Sequence, residues 1–397
     1  MCNGTIMDKL ISFSIPLMLS GILQLMFNAV DIVVVGRFSG SQALAAVGST
    51  TALINVFTNL FIGISLGANV LAARYYAAGK TKEMSETVHT AIALALVSGV
   101  AMAVIGVVFA RGALEIMGTP DDVIAKSTLY MRIYFCGMPF FMMYNYGAAI
   151  LRAVGDTKRP LIFLIVSGVI NAVLNLFLVI GFHLDVAGVG IATVISQLVS
   201  CILVLRCLHH TESSYQLHLA KLRIRSVYLK QIFEVGVPAG IQSTVINISN
   251  AMLQSSVNSF GAIAMAGYTA SNNIFGFLYV SVNSFTQACM SFTSQNYGVK
   301  KLKRMDRVLI DCMILSVVVT LILGSSVYIF GPELLHIYSN QADVIKYGME
   351  IFSYTTVTYF LCGLMDLFPG ALRGMGYSTV PMILSIIGTV GIRIIWI

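Results

Sequence analysis

The stretch ILRAVGDTKRP at 150–160 returns as ALRGMGYSTVP at 371–381, and this repetition decides the fold. The two stretches share a leucine, an arginine, a glycine and a proline at a constant offset of 221 residues. The pairs are Leu151 and Leu372, Arg152 and Arg373, Gly155 and Gly376, and Pro160 and Pro381. A match of this length, far apart in one chain, indicates two halves built on the same plan.

Other matches follow in the same order along both halves. They are DVI at 122–124 with DVI at 343–345, ARYYAAGK at 73–80 with SQNYGVKK at 294–301, and Pro16 with Pro238, where the offset slips to 222. At an offset of 221 the chain ends opposite Leu176, so residues 177–208 have no counterpart. We therefore expect a second half truncated by roughly one and a half helices, since a span takes about 20 residues.

The composition indicates that the solvent of this chain is a lipid bilayer. Of the 397 residues, 57% are hydrophobic and only 10% are charged, whereas a soluble domain carries roughly 25% charged residues. The first apolar run begins at Leu10 and lacks a small-residue cleavage site, so it is predicted to be a retained helix. The pattern predicts an all-α membrane protein with spans at 10–35, 43–73, 89–110, 127–150, 160–182, 187–207, 231–259, 263–296, 308–330, 347–371 and 379–397.

The basic residues concentrate in alternate loops, which the bias of lysine and arginine places in the cytoplasm together with the N-terminus. This distribution explains the net charge of +7 without a nucleic-acid partner. The predicted division is an N-terminal lobe at 1–207 with helices 1–6, a cytoplasmic linker at 208–230, and an incomplete C-terminal lobe at 231–397 with helices 7–11. Six spans per unit is an even number, so the lobes are expected to be parallel repeats with the substrate path between them.

The chain resembles the multidrug and toxic-compound extrusion (MATE) family of the MOP flippase superfamily, of bacterial type, across its whole length. The motifs that carry the resemblance are VDIVVVGR at 30–37, ARYYAAGK at 73–80, LRAVGDTKRP at 151–160, NAVLN at 171–175, GIATVISQ at 190–197, SQNYGVKK at 294–301 and LRGMG at 372–376, together with Pro16. The resemblance implies a V-shaped pair of six-helix lobes that open alternately to either side of the membrane, here with about eleven helices present.

The resemblance also implies a site for the coupling cation. In the family an aspartate of the first helix binds this cation, and Asp31 occupies that place, fifteen residues after the helix-bending Pro16. Polar side chains of the fifth and sixth helices complete the pocket, and they match Asn171, Asn175 and Thr193. Many relatives carry an aspartate where this chain has Asn175, so the site is expected to have one negative charge fewer.

Elementary energetics support a role for these side chains but leave simpler explanations open. A carboxylate at bilayer depth costs roughly 2.5–3.5 kcal/mol, so Asp31 should face a cavity or a partner unless it lies at the membrane surface. Desolvation favours its neutral form, which a proton would provide, whereas sodium would use the oxygens of the whole set. The asparagines could instead pack helices together at about 0.6 kcal/mol each.

Two further features are candidates for structure as well as function. Asp366 shares its repeat position with Asn145, and this pair is a candidate for a second-lobe cavity or for hydrogen bonds between helices. Gly63 and Gly67 form a GxxxG pattern in the second span, which is typical of closely packed helices.

The sequence argues against an enzyme. Gly79-Lys80-Thr81 imitates the end of a phosphate-binding loop, but Arg74 stands where its first glycine is required. The six histidines lack metal-ligand spacing, and the seven scattered cysteines lack the CxxC pattern. We therefore expect no cofactor other than the coupling ion, H+ or Na+, and no metal apart from a sodium ion at Asp31.

The leading hypothesis is a secondary antiporter of the plasma membrane that exports small, often cationic organic compounds. A flippase for a lipid-linked saccharide shares the architecture, but it would favour a cationic cavity for the pyrophosphate. A membrane protein without a transport cycle is a third hypothesis, which the near-equivalent halves disfavour. The bilayer and small molecules are the expected partners, and the chain is expected to act as a monomer. Substrate identity and the choice between H+ and Na+ stay open.

Overall fold

The computed structural model describes residues 1–396, without the side chains of Ser41, Ala52, Asn258 and Ile394. Within that range the regular structure is helical and no strand occurs. The α-helices are α1 (Met7–Phe38), α2 (Ser41–Ala77), α3 (Thr81–Ile116), α4 (Asp121–Cys136), α5 (Met138–Ala153), α6 (Lys158–Leu176), α7 (Asp185–His209), α8 (Ser226–Asn258), α9 (Ala262–Gly298), α10 (Leu302–Ile329), α11 (Gly331–His336), α12 (Ala342–Gly374), α13 (Thr379–Ser385) and α14 (Ile392–Trp396).

The prediction of an all-helical membrane protein is confirmed. Seven helical segments of the described chain are long and apolar enough to cross a bilayer, namely α1, α2, α3, α7, α10, α12 and the run from α6 through the π-helix Phe177–Gly181. Two others, α8 and α9, have 33 and 37 residues and are long enough to span. Their lower hydropathy reflects the polar side chains along them, which matter below.

The span predicted at 127–150 is in fact two helices, α4 and α5, which meet at Gly137. Pro139 lies at the start of α5, where its missing N–H costs nothing, and it prevents a continuous helix through this point. A Cβ on Gly137 would lie 2.5 Å from Oε1 of Gln197, so α7 passes close to the break. The sequence prediction missed this break because glycine and proline also occur within continuous membrane helices.

Pro16 lies inside α1 and Pro238 lies at the equivalent repeat position inside α8. The structure consists of two compact units, and the boundary between them crosses each of these helices a few residues after its proline. Pro16 cannot donate a helical hydrogen bond, and its own carbonyl accepts one from the Ser20 hydroxyl at 2.7 Å. One compact unit comprises Ile22–Gly240, here called the N-terminal unit. The other, here called the C-terminal unit, comprises Met1–Gly21 with Ile241–Ile397. Each unit thus contains part of α1 and part of α8, whereas the predicted lobes divide the chain between its helices.

Close helix packing at the GxxxG pattern is confirmed within the N-terminal unit. A Cβ on Gly63 would lie 2.2 Å from the Cα of Gly240, and one on Gly67 would lie 2.1 Å from the carbonyl oxygen of Ile232. Both distances are too short for any side chain, so α2 and α8 touch backbone to backbone. Glycine is required here because only its missing Cβ allows this approach.

The linker between the halves is tied to the first turns of α3. Arg223 and Arg225 both pair with the carboxylate of Glu86, at 2.5 and 3.2 Å. The backbone N–H of His218 donates to Nε2 of His89 at 3.1 Å, while Nδ1 of His89 lies 2.6 Å from the carbonyl oxygen of Ser85. These contacts attach the linker to the N-terminal unit.

Candidate functional site

Asp31 lies on α1 within the N-terminal unit, half-buried, and meets α6 through hydrogen bonds. The amide nitrogen of Asn175 donates to Oδ1 of Asp31, and the same nitrogen donates to Oδ1 of Asn171 at 3.1 Å. Asn171 is 5% exposed and Asn175 is fully buried. The structure therefore brings together three of the four residues predicted for the cation site.

The local sequence explains why these helices meet here. Asn171 and Asn175 are four residues apart, so both project from one face of α6. One turn earlier on that helix, a Cβ on Gly168 would lie 1.9 Å from the ring of Phe27. Phe27 is one turn before Asp31 on α1, so the absence of a side chain at Gly168 lets the two helices approach beside the carboxylate. The π-helix Phe177–Gly181 begins two residues after Asn175.

Two buried side-chain oxygens of α6 and α7 lack hydrogen-bond donors among residues 1–396, and one of them belongs to the Asn175 side chain that contacts Asp31. Oδ1 of Asn175 is buried and accepts no hydrogen bond from the residues that the structure describes, and the same holds for Oε1 of Gln197. No lysine or arginine among residues 1–396 pairs with Asp31. A half-buried carboxylate without a basic partner, beside an amide oxygen that accepts no hydrogen bond, could hold a small cation, either a proton on the carboxylate or a sodium ion between the oxygens.

Sequence reasoning missed two aromatic neighbours of this carboxylate. Tyr130 and Tyr134 project from α4 and lie within the electrostatic reach of Asp31. Tyr130 is 6% exposed, and its ring lies 6.1 Å from that of Tyr134. Their spacing of four residues indicates that the two tyrosines share one face of α4. Only the fold shows that this face turns toward α1.

Other predicted residues are placed elsewhere. The hydroxyl of Thr193 donates to the carbonyl oxygen of Val189 at 2.9 Å on its own helix, α7, and so does not join the bonded set of Asp31. Asn145 belongs to the N-terminal unit and donates to the carbonyl oxygen of Phe141 at 2.8 Å. Asp366 belongs to the C-terminal unit, half-buried on α12 and within the electrostatic reach of Arg373. These two therefore do not form one cavity within a unit.

The C-terminal unit contains a second set of polar contacts that the sequence did not predict. Arg373 donates through Nη2 to Oε1 of Gln242 at 2.5 Å, and Nε2 of Gln242 donates to the Ser385 hydroxyl at 2.7 Å. These bonds join α12, α8 and α13. They show that Arg373, in the last turn of its own helix, contacts a neighbouring span.

Comparison with known proteins identifies the class. The fold is that of a multi-pass helical membrane protein with a half-buried carboxylate in its first span. The MatE family model matches residues 16–177 and 238–396, which is most of the chain and covers both repeats. The chain therefore belongs to the MATE family of membrane transporters, as its motifs predicted.

Individual relatives agree with this assignment. The chain is 29% identical over 389 residues to the probable multidrug resistance protein YoeA of Bacillus subtilis, covering 96% of this chain and 84% of YoeA. It is 23% identical to the multidrug export protein MepA of Staphylococcus saprophyticus, covering 100% of this chain and 88% of MepA. A solved outward-facing multidrug resistance MATE transporter of the MOP superfamily superposes with a TM-score of 0.91 at 20% identity, over 96% of this chain and 86% of that one. This last likeness concerns the fold.

Proposed function

We propose that this protein is a secondary active antiporter of the plasma membrane that exports small, often cationic organic compounds in exchange for H+ or Na+. The observation that carries the proposal is the Asp31 carboxylate, held by the amide of Asn175 inside a span and without a basic partner among the described residues. The names of YoeA and MepA support the multidrug substrate class. The basic loops support an N-terminus in the cytoplasm.

In the proposed cycle, the charge of Asp31 alternates between neutral and negative as the coupling cation binds and leaves. A cation that enters from the outer side neutralises the carboxylate and lowers the cost of holding it at bilayer depth. When the cation leaves on the inner side, the charge returns and the outward preference of the transporter is restored. Moving one charge through a potential of 100 mV supplies about 2.3 kcal/mol, which corresponds to roughly a fiftyfold concentration gradient. No cofactor and no enzymatic step are needed in this cycle.

The test is dye export in inside-out membrane vesicles under separately imposed proton and sodium gradients. Asp31→Asn keeps the shape of the side chain and removes its charge, so we expect accumulation of a cationic dye such as ethidium to fall to background. Asp122→Asn is the matched control, because Asp122 is exposed at the start of α4 and should leave transport unchanged.

Each outcome has a definite meaning. The gradient that drives flux in the unmodified protein names the coupling ion. Full flux in Asp31→Asn would remove this carboxylate from the mechanism. Absence of flux under either gradient would reject the antiporter and favour the flippase that shares this architecture.

A further inference from the structure

Two arginines of the C-terminal unit contact α8 without a carboxylate partner. Arg393, on α14, donates through Nη1 to the Ser249 hydroxyl at 3.2 Å and to Oδ1 of Asn250 at 2.7 Å. Arg373 donates to Gln242, as described above. No acid of residues 1–396 lies within ion-pairing distance of either guanidinium. Within this range both guanidiniums therefore form hydrogen bonds only to neutral oxygens.

The two guanidiniums donate hydrogen bonds to residues on the same face of α8. Gln242 and Ser249 are seven residues apart, which is two helical turns, so they share a face about 10 Å apart along the axis. Ser249 is 1% exposed and Gln242 is 5% exposed, which shows that this face is buried. Asp366 precedes Arg373 by two turns on α12 and, within the described part of the chain, is the one carboxylate in electrostatic contact with it. Two guanidiniums and one carboxylate leave the cluster with an excess of positive charge.

The bonding of Arg393 leaves a particular edge of its guanidinium available. Both of its hydrogen bonds use Nη1, so Nε and Nη2 donate to no other part of the described chain. These two nitrogens form the edge whose parallel N–H groups match the two oxygens of a carboxylate or phosphate. At Arg373, Nε is buried and likewise has no hydrogen-bond acceptor among residues 1–396. A buried donor without a partner costs free energy, which an anionic ligand would recover.

When the two halves are aligned by sequence, Arg393 falls beside the equivalent of Asn171, which hydrogen-bonds in the cluster of Asp31, Asn171 and Asn175. At an offset of 221, Asn171 aligns with Ile392. The π-helix Ile386–Gly391 comes just before that point, and each of its turns closes over one residue more than an α-helical turn. With this one extra residue, an offset of 222 aligns Asn171 with Arg393. A polar position of the first half is thus basic in the second.

We propose that α8, α12 and α14 of the C-terminal unit form a binding site for the anionic group of an amphiphile, a carboxylate or a phosphate, with Arg393 as the ligand residue and Arg373 as a second cation. Ser249 and Asn250 position the guanidinium so that its free edge receives the oxygens. This inference goes beyond the proposed export of cationic compounds, because it adds acidic or zwitterionic amphiphiles to the ligands of the protein.

The chain contains its own reporter for this site. Trp396 is the single tryptophan and lies three residues after Arg393 on the same helix. The probe is 8-bromooctanoate, since bromine quenches tryptophan fluorescence on contact. In neutral detergent we expect saturable quenching of the purified protein, reversed by octanoate and unaffected by octyltrimethylammonium. In Arg393→Gln the apparent Kd should rise at least tenfold, and Arg393→Lys should recover part of the binding.

Two comparisons make the result specific. Arg132→Gln is the matched control, because Arg132 is an exposed arginine of α4 that donates to the carbonyl oxygen of Val107, and its loss should leave binding unchanged. A second arm replaces the fatty acid by brominated phosphatidate, with brominated phosphatidylcholine as its zwitterionic reference. Quenching by phosphatidate alone assigns the site to lipid phosphate, and quenching by octanoate assigns it to soluble carboxylates.

The measurement is made without any ion gradient, so it is independent of transport. Asp31→Asn should bind 8-bromooctanoate like the unmodified protein even where its export is lost. The proposal is overturned if octyltrimethylammonium displaces the probe as well as octanoate does, or if Arg393→Gln binds it with unchanged affinity while its thermal melting shows a folded protein.

Discussion

The two units place opposite charges beside closely related partners. In the N-terminal unit the carboxylate of Asp31 accepts from the amide of Asn175, and in the C-terminal unit the guanidinium of Arg393 donates to the amide oxygen of Asn250. Asparagine suits both cases because its side chain carries donors and an acceptor. The comparison teaches that the repeat conserves a framework of packed helices, whereas the charge at the polar cluster is set by single residues.

The largest expected effect comes from making the first cluster resemble the second. Asn171→Arg places a guanidinium next to Asp31, where it should form charge-assisted hydrogen bonds and neutralise the carboxylate permanently. Gradient-driven dye export should fall to background in inside-out vesicles, although the protein still reaches the membrane. Asn171→Gln keeps the amide and serves as the control. Export at the original rate in Asn171→Arg would mean that the charge of this cluster does not matter.

A smaller effect is expected when the amide donor is removed without adding charge. Asn175→Leu is similar in size and leaves the half-buried carboxylate of Asp31 without its donor, and an unsatisfied polar group costs about 1–3 kcal/mol. The initial rate of dye export should therefore fall about tenfold, because one tenfold step corresponds to about 1.4 kcal/mol.

The matched control for that experiment is Asn145→Leu. Among residues 1–396, Asn145 donates only to a carbonyl oxygen one turn earlier on its own helix, so its loss should change the export rate less than twofold. Equal losses in the two variants would show that side-chain amides of this unit are equally important for export. The hydrogen bond from Asn175 to Asp31 would then have no particular role in transport.

The smallest effect compares how the N-terminal unit holds the linker with how the C-terminal unit holds the first residues of the chain. His218 of the linker has a pKa below its ordinary value, because of burial first and then the positive neighbours Lys221, His89 and His209. Its docking contribution is therefore complete above the unfolded pKa and is lost as the pH falls through the lowered value. In the C-terminal unit, Lys301 and Arg304 instead hold the first residues by donating to the carbonyl oxygens of Cys2 and Gly4.

Amide hydrogen exchange at pH 7.5 and 5.5, expressed as protection factors, measures this difference. Protection of the His218 amide, which donates to Nε2 of His89, should fall several-fold at the lower pH, because protonation of His218 removes its docking contribution. The Lys301 amide, which donates to the carbonyl oxygen of Asn296 at 2.9 Å, should keep its protection. A parallel fall at both amides would indicate general loosening and not a local response of the linker.

The sequence predicted most of the helices because their apolar runs are long and the repeat confirms their order. It predicted Asp31, Asn171 and Asn175 as neighbours through the family resemblance, and their contacts agree. It could not predict the break at Gly137, since Gly and Pro occur in continuous membrane helices as well. Tyr130 and Tyr134 escaped notice for a similar reason, because a tyrosine in an apolar run is typical of packing as well as of a site.

By itself the sequence determined the solvent, the helical class, the repeat and the family of this protein, because hydropathy, residue spacing and internal offset are properties of the chain alone. Only the tertiary structure decided which polar side chains meet. The partners of Arg393 lie 144 and 143 positions away along the chain, and the π-helix before it changes the face that this arginine presents. Such contacts depend on helix rotation, which a one-residue shift changes by about 100°, and packing of the complete helices fixes that rotation.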